Sequence, residues 1–475
     1  MTVAGGLRSE NAPLGLSEAA RQLLRARLDR AGGLARRRRR PILASVRVPA
    51  DAAIDASATV LAARTAADSA FCFEQPDREG FAIAALGAAA VVEASGAGRF
   101  ASVAAQCREL ACEAIADGAD PVWVGGFAFA PDGAATPEWS SFGPARLTLP
   151  EVTLTRRGDR AQLTVNAVMQ GDESPDAVLE RLAARADTLV PARMPLVDPH
   201  PAEPARVVSA APPEHYAEAV RRATERIAAG ELEKVVLARE VRVHAPRPID
   251  AAAVYGGLRD RFPSCYCYLA ATPEASFVGA SPELLVRRDG QRAQTVALAG
   301  TLRRSADPAL DRHLAEQLLG SDRYREEQAI VTRRIERTLG PVSVWVAAAE
   351  EPVVVKVQNV QHLGTPIRAQ LAEPLACAEL AGRLHPTPAV GGEPQERALP
   401  LIPALEGLDR GWYAAPVGWT DLAEDGEFCV ALRCALIRDR VAHLYAGEGI
   451  VRESVPDEEL AANEAKLQAL LPLLT

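Results

Sequence analysis

The chain has 475 residues, a formal net charge of −9 and 48% hydrophobic residues, the profile of an ordinary folded protein long enough to bury a large core. The acidic balance argues against a nucleic-acid partner, and no apolar run approaches the roughly 20 residues that span a bilayer. Eight scattered cysteines, none in a CxxC pair, read as free thiols in a reducing cytoplasm.

Residues 1–16 read as loose. Leu16–Leu34 carries a helical apolar pattern expected to stop at Gly32-Gly33. The run Arg36–Arg40 then reads as a solvated helix end, its cations facing the carbonyl terminus. Pro41–Val48 alternates as a strand, and Phe71–Phe73 pairs with Phe81–Ala85 across Pro76–Gly80. An Ala-rich helix is expected near Phe100–Asp117 and a buried strand at Val122–Phe129. Arg146–Arg156 and Ala161–Val168 form a hairpin about Gly158. A helix over Ser174–Leu189 has Ser174 as its N-cap and Pro175 in its first turn.

Pro195–Pro213 holds six prolines, a linker or an irregular crossing. Tyr216, Val220, Ala223 and Ile227 then share a helical face, with Gly230 after it. Further strands are expected at Val235–Ala238, Tyr266–Ala271, Ala275–Val278, Leu284–Arg288, Pro352–Val360, Glu427–Ile437 and Val441–Ala446. Hairpin turns outnumber strand–helix–strand units, so the class is α+β with mostly antiparallel sheet.

Only three of the 53 basic residues are lysine: Lys234, Lys356 and Lys466. Lysine, unlike arginine, can be made a base by burial, and Lys234 opens an apolar strand.

Taken together, EKVVLAR (233–239), GASPELL (279–285), LAGT (298–301), REEQAIV (325–331), VQHLGTP (360–366), HPTPAVGG (385–392), DRGWYAAPVGW (409–419), EFCVALR (427–433) and AGEGIV (446–451) resemble the chorismate-utilising enzymes in order and spacing. FEQPD (73–77) and GGFAF (125–129) extend the resemblance more weakly towards the isochorismate-forming members. The resemblance implies two antiparallel β-sheets packed face to face with helices outside. Residues 1–40 would be an N-terminal helical extension and 41–475 one chorismate-binding domain, with a weaker-matching half (41–205) and a motif-bearing half (206–475).

It further implies Lys234 as the general base that activates water and Glu283 as the acid that protonates a departing hydroxyl. Gly300, Thr301, His362, Thr365, Ala389, Tyr413, Arg433, Gly447, Gly449 and Lys466 would contact chorismate. Mg2+ would be held by Glu327, Glu459 and the amide oxygen of Asn463. Two positions depart from the pattern. Ala462 stands where the family has a second acid on the closing helix, and Glu448 lies between two glycines where a small residue is usual.

Aminating relatives carry Gln in place of Lys234 and need a glutamine-hydrolysing subunit, so the resemblance implies water as nucleophile and no such partner. Ala389 matches the isochorismate type, whereas salicylate-forming relatives often have Thr. The expected activity is therefore conversion of chorismate to isochorismate for menaquinone or siderophore/salicylate biosynthesis, by a monomer acting on a small molecule. The alternatives are a salicylate synthase that also eliminates pyruvate, and a chorismate-binding protein with degraded catalysis.

Overall fold

Two antiparallel sheets, of 12 and 10 strands among the described residues, form the body of the protein. The structure is a computed structural model and describes residues 12–118, 121–198, 203–357 and 360–475. In the first sheet the order is Ile42–Ala50, Arg160–Met169, Val152–Arg157, Phe81–Leu86, Ala70–Gln75, Tyr266–Ala271, Ser276–Ser281, Cys434–Arg438, Val441–Ile450, Lys234–His244 and Gly392–Glu393. The strand Arg206–Ser209 adds to Lys234–His244, so part of the proline-rich segment is sheet. The second sheet runs Ser343–Ala348, Val360–Leu371, Arg292–Arg303, Leu284–Asp289, Gly426–Val430, Pro416–Asp421, Val122–Phe127, Ala145–Leu149 and Ala90–Glu93. Val353–Lys356 adds to Val360–Leu371.

Strand periodicity explains the layering. In Phe81–Leu86, Phe81, Ile83 and Ala85 face a core shared with Trp123, Phe127 and Phe428 of the second sheet. Ala82, Ala84 and Leu86 face a second core roofed by Leu24, Leu28, Leu182 and Tyr255 from helices. Tyr266–Ala271 alternates in the same way, with Tyr266, Tyr268 and Ala270 inward and Cys267, Leu269 and Ala271 outward. The first sheet is thus buried on both faces.

The first helix, Glu18–Arg38, is capped by Ser17, whose hydroxyl accepts from the Ala20 N–H at 3.3 Å. It does not stop at Gly32-Gly33. Leu24, Leu28, Ala31 and Ala35 bury one face, and that packing outweighs the roughly 1 kcal/mol that each glycine costs a helix. The Arg36–Arg40 run is its last turn and cap. Arg38 and Arg40 pair with Glu113, and Arg36 donates to the Gly171 carbonyl. Residues 1–11 of the segment read as loose lie outside the described residues.

Two expected strands divide where the chain changes sheets. Arg146–Arg156 is Ala145–Leu149 in the second sheet and Val152–Arg157 in the first. Glu427–Ile437 is Gly426–Val430 in the second and Cys434–Arg438 in the first, with Arg433 between them at φ 48°. Of the expected strand Pro352–Val360, Val353–Lys356 is one strand and Val360 opens the next; residues 358–359 lie outside the described set. A further crossing, from Ser276–Ser281 to Leu284–Asp289, passes through Glu283. It lies beside the Val430–Cys434 crossing, because the Val430 N–H donates to the Glu283 carbonyl (3.0 Å) and the Ala280 N–H to the Arg433 carbonyl (3.1 Å). This double crossing positions the site.

Candidate active site

A cavity of about 320 Å³ opens beside the double crossing. Lys234 enters it as the first residue of its strand. Its backbone is held in register by Val235↔Ile450 and Val236↔Gly449, and its side chain is 2% exposed. The Lys234 Nζ donates to Glu327 Oε1 at 2.8 Å, from the helix Asp322–Leu339. A side chain at Gly449 would push Lys234 aside, since a Cβ there would stand 2.7 Å from Lys234 Cε.

Glu283 is buried in the same cavity, its N–H bonded to Ser281 Oγ. Burial pushes its carboxyl up to about 8, against the opposing pull of the Lys234 ammonium. The group is therefore an acid at neutral pH.

Arg433 is buried, and burial lowers its pKa. Its Nη2 donates to His362 Nε2 at 3.3 Å, while its buried Nη1 has no partner among the described residues. His362 is held far below its usual pKa by burial, then by Arg433 and Lys466. The ring is neutral, so Nε2 accepts from Arg433 and Nδ1–H donates to Thr301 Oγ1 at 2.9 Å. Thr301 reaches that partner because Gly300, at φ 63°, forms a bulge in Arg292–Arg303. Tyr413 and Ala389 complete this side.

The opposite wall is helical. Glu327 and Arg323 stand one turn apart on Asp322–Leu339, and Glu459, Ala462 and Lys466 come from Pro456–Leu467. Arg323 approaches Glu459 at 3.7 Å. Lys466 Nζ donates to the Gly447 carbonyl and to Glu448 Oε2, both at 2.8 Å. Burial pushes the Glu448 and Glu459 carboxyls up.

Lys234, Glu283, Gly300, Thr301, His362, Ala389, Tyr413, Arg433, Gly447, Gly449, Lys466, Glu327 and Glu459 all line the cavity. Two expected residues do not. Thr365 is buried with its hydroxyl accepting from Gln328 Nε2 at 2.8 Å, away from the cavity lining. Asn463 is fully buried and donates Nδ2–H to the Ala446 carbonyl at 2.7 Å, which pins the closing helix to the sheet. Arg323 and Tyr324 line the cavity unforeseen. Their signal was the helical spacing from Arg323 to Glu327.

The fit to a divalent cation is partial. Among the described residues no three ligating side chains are placed together to hold a metal ion, and Glu327, Glu459 and Glu448 each have a cationic partner. The donors are nevertheless hard carboxylate oxygens on one cavity, and Glu448 Oε1 is buried without a partner. Magnesium needs few protein ligands, since water and substrate oxygens supply the rest.

Fold and site define an enzyme built for acid–base work on a small anion in a desolvated cleft. Residues 26–475 match the model of the chorismate binding enzyme family, and the chain belongs to it. It is 36% identical over 357 residues to the isochorismate synthase MenF of Bacillus subtilis, covering 74% of each chain. It is 35% identical over 408 residues to the salicylate biosynthesis isochorismate synthase of Pseudomonas aeruginosa, covering 85% of this chain and 84% of that one. The solved structure of the menaquinone-specific isochorismate synthase MenF from Escherichia coli superposes with a TM-score of 0.78 at 28% identity, covering 96% of this chain and all of that one. No helix among the described residues is long and apolar enough to cross a membrane.

Proposed function

We propose that the protein is a magnesium-dependent isochorismate synthase. The observation that carries this reading is the presence of Lys234 and Glu283 in one cavity, beside an arginine whose Nη1 has no partner among the described residues. Chorismate is a dianion with a ring hydroxyl. In the reaction a base takes a proton from water as its oxygen bonds to one ring carbon, and an acid protonates the hydroxyl leaving another, so that water is consumed and released in equal number. Lys234 is the base and Glu283 the acid. Arg433 presents Nη1–H to a substrate carboxylate, and the neutral His362 fixes the guanidinium plane. Glu327 and Glu459 would hold the magnesium ion, which when bound supplies positive charge for a substrate carboxylate. Water as nucleophile leaves no role for an ammonia-supplying subunit.

Purified protein incubated with chorismate and Mg2+ is expected to give isochorismate, resolved by chromatography, without salicylate fluorescence. Salicylate as product would place the protein in the pyruvate-eliminating branch. Binding of chorismate with no turnover would make it a binding protein.

A further inference from the structure

Five cationic side chains line the active-site cavity: Lys234, Arg303, Arg323, Arg433 and Lys466. Three are matched with carboxylates. Lys234 pairs with Glu327 and Lys466 with Glu448, both at 2.8 Å, and Arg323 approaches Glu459 at 3.7 Å. Arg433 and Arg303 have no carboxylate partner among the described residues; they bond instead to His362 Nε2 and to the Ala461 carbonyl. The proposed reaction uses Arg433 and leaves Arg303 and Arg323 without a task.

Arg303 is exposed and stands two residues after Thr301 on the strand Arg292–Arg303. Residues i and i+2 of a strand share a face, so its side chain leaves from the face that carries Thr301, roughly 7 Å nearer the strand end. Its Nη2 donates to the Ala461 carbonyl at 2.9 Å, across to the helix Pro456–Leu467. A carbonyl carries no formal charge, so the guanidinium charge stays unneutralised. Arg323 comes from the helix Asp322–Leu339, one turn before Glu327, with its side chain 43% exposed. Its 3.7 Å approach to Glu459 is longer than a hydrogen bond, and a solvated pair of this kind is worth little. Another anion can replace it. The two arginines thus stand at the solvent end of a cavity in which Lys234 and Arg433 are buried.

With Glu283 protonated, five cations face the four carboxylates Glu327, Glu448, Glu458 and Glu459. The lining therefore carries one net positive charge in a chain of net charge −9. A positive cleft with low-dielectric walls focuses its field outward and speeds the capture of an anion.

We propose that Arg303 and Arg323 are capture residues, which draw a small dicarboxylate through the mouth of the cavity towards Arg433. This rests on the reading that the substrate is the chorismate dianion. The pair acts through space on association and affinity and takes no part in proton transfer. Attraction at a distance needs charge and no planar fork, so lysine serves at 303 and 323 as arginine does, unlike at Arg433.

The test is kcat and KM for chorismate at fixed Mg2+, with Kd from calorimetry, as ionic strength rises from about 0.02 to about 0.5 M and the Debye length falls from about 20 to about 4 Å. Arg303→Gln/Arg323→Gln is expected to lower kcat/KM roughly tenfold at the lowest ionic strength, the effect of two unit charges on a dianion about 8 Å away through water, with kcat unchanged. The gap to the unaltered enzyme is expected to close as salt rises. Arg303→Lys/Arg323→Lys is expected to keep both kcat/KM and its salt dependence. Arg37→Gln, at an exposed position on the first helix, controls for net charge and is expected to change neither. A loss that is equal at all ionic strengths, or that falls on kcat, makes the arginines a brace for the closing helix and overturns the proposal. So does unaltered kcat/KM in the glutamine variant, or a comparable drop in Arg37→Gln. In each of these cases the chorismate reading stands. Neither binding nor turnover of chorismate by the unaltered protein overturns both.

Discussion

The strand-borne and helix-borne walls of the cavity are built on different terms. On the strand side, Lys234 has a side chain only 2% exposed, and Glu283 and Arg433 sit on two chain crossings bonded to each other through their backbones. On the helix side, Glu327 and Lys466 have side chains 18% and 19% exposed, and Glu459 and Lys466 are each matched with an oppositely charged partner. Proton-transfer groups need desolvation, because burial is what keeps Glu283 protonated at neutral pH. The groups proposed to hold magnesium need access to water and freedom to exchange partners. The sheet supplies the first condition and the helices the second.

The comparison breaks most visibly at the strand wall. Lys234→Gln is expected to lower kcat roughly 100- to 10,000-fold, the usual contribution of a general base, while the Kd for chorismate stays near its original value. Glu283→Gln should do the same, and the double variant should be little worse than either, because both groups serve one step. Steady-state kinetics with isothermal calorimetry of chorismate binding checks both. Activity of the unaltered enzyme should fall as pH rises through about 8, where Glu283 loses its proton. The same group links to stability. Its folded pKa is raised, so its favourable contribution is complete below the ordinary carboxylate range and is lost between there and about pH 8. Denaturant melts from pH 5 to 9 should show a shallower decline in Glu283→Gln.

Next in size is the anchor behind the strand wall. Arg410 and Glu406 are buried together. Arg410 donates to the Val236 and Val390 carbonyls, and Glu406 Oε1 accepts from the Ala238 N–H. They tie the Lys234 strand to the Ala389–Val390 side of the cavity. Arg410→Met strands the Glu406 carboxylate and should destabilise the fold by about 3–5 kcal/mol in urea melts.

A smaller effect is expected at Arg433. Arg433→Lys keeps the charge but loses the fork, and the KM for chorismate should rise roughly 10- to 100-fold, the worth of one or two hydrogen bonds to a charged group. An unchanged KM would remove Arg433 from the substrate contacts. The smallest effect is expected at Thr365. Thr365→Val removes only the bond from Gln328 Nε2, which retains the Ala297 carbonyl at 2.8 Å. Stability should drop by about 1 kcal/mol with KM unchanged. A large rise in KM would bring Thr365 back to the substrate.

Much was legible in the residues themselves. Alternating apolar patterns marked the strands, because a pleated strand sends successive side chains to opposite faces. Lys234 stood out as one of three lysines among 53 basic residues, and the spaced motifs named most of the cavity lining before any fold was known. Sheet changes were not legible. Ala145–Leu149 runs into Val152–Arg157, and Gly426–Val430 approaches Cys434–Arg438, with little break in apolar character, because both faces of the first sheet are buried. Periodicity reports burial and is blind to which sheet does the burying. The helix likewise ran on through Gly32-Gly33, where packing outweighed propensity. The direction of Glu448 was equally hidden. A residue between two glycines can turn either way in sequence, and only the docking of the closing helix, through Asn463 and Lys466, decided that its carboxylate faces Lys466 and the cavity.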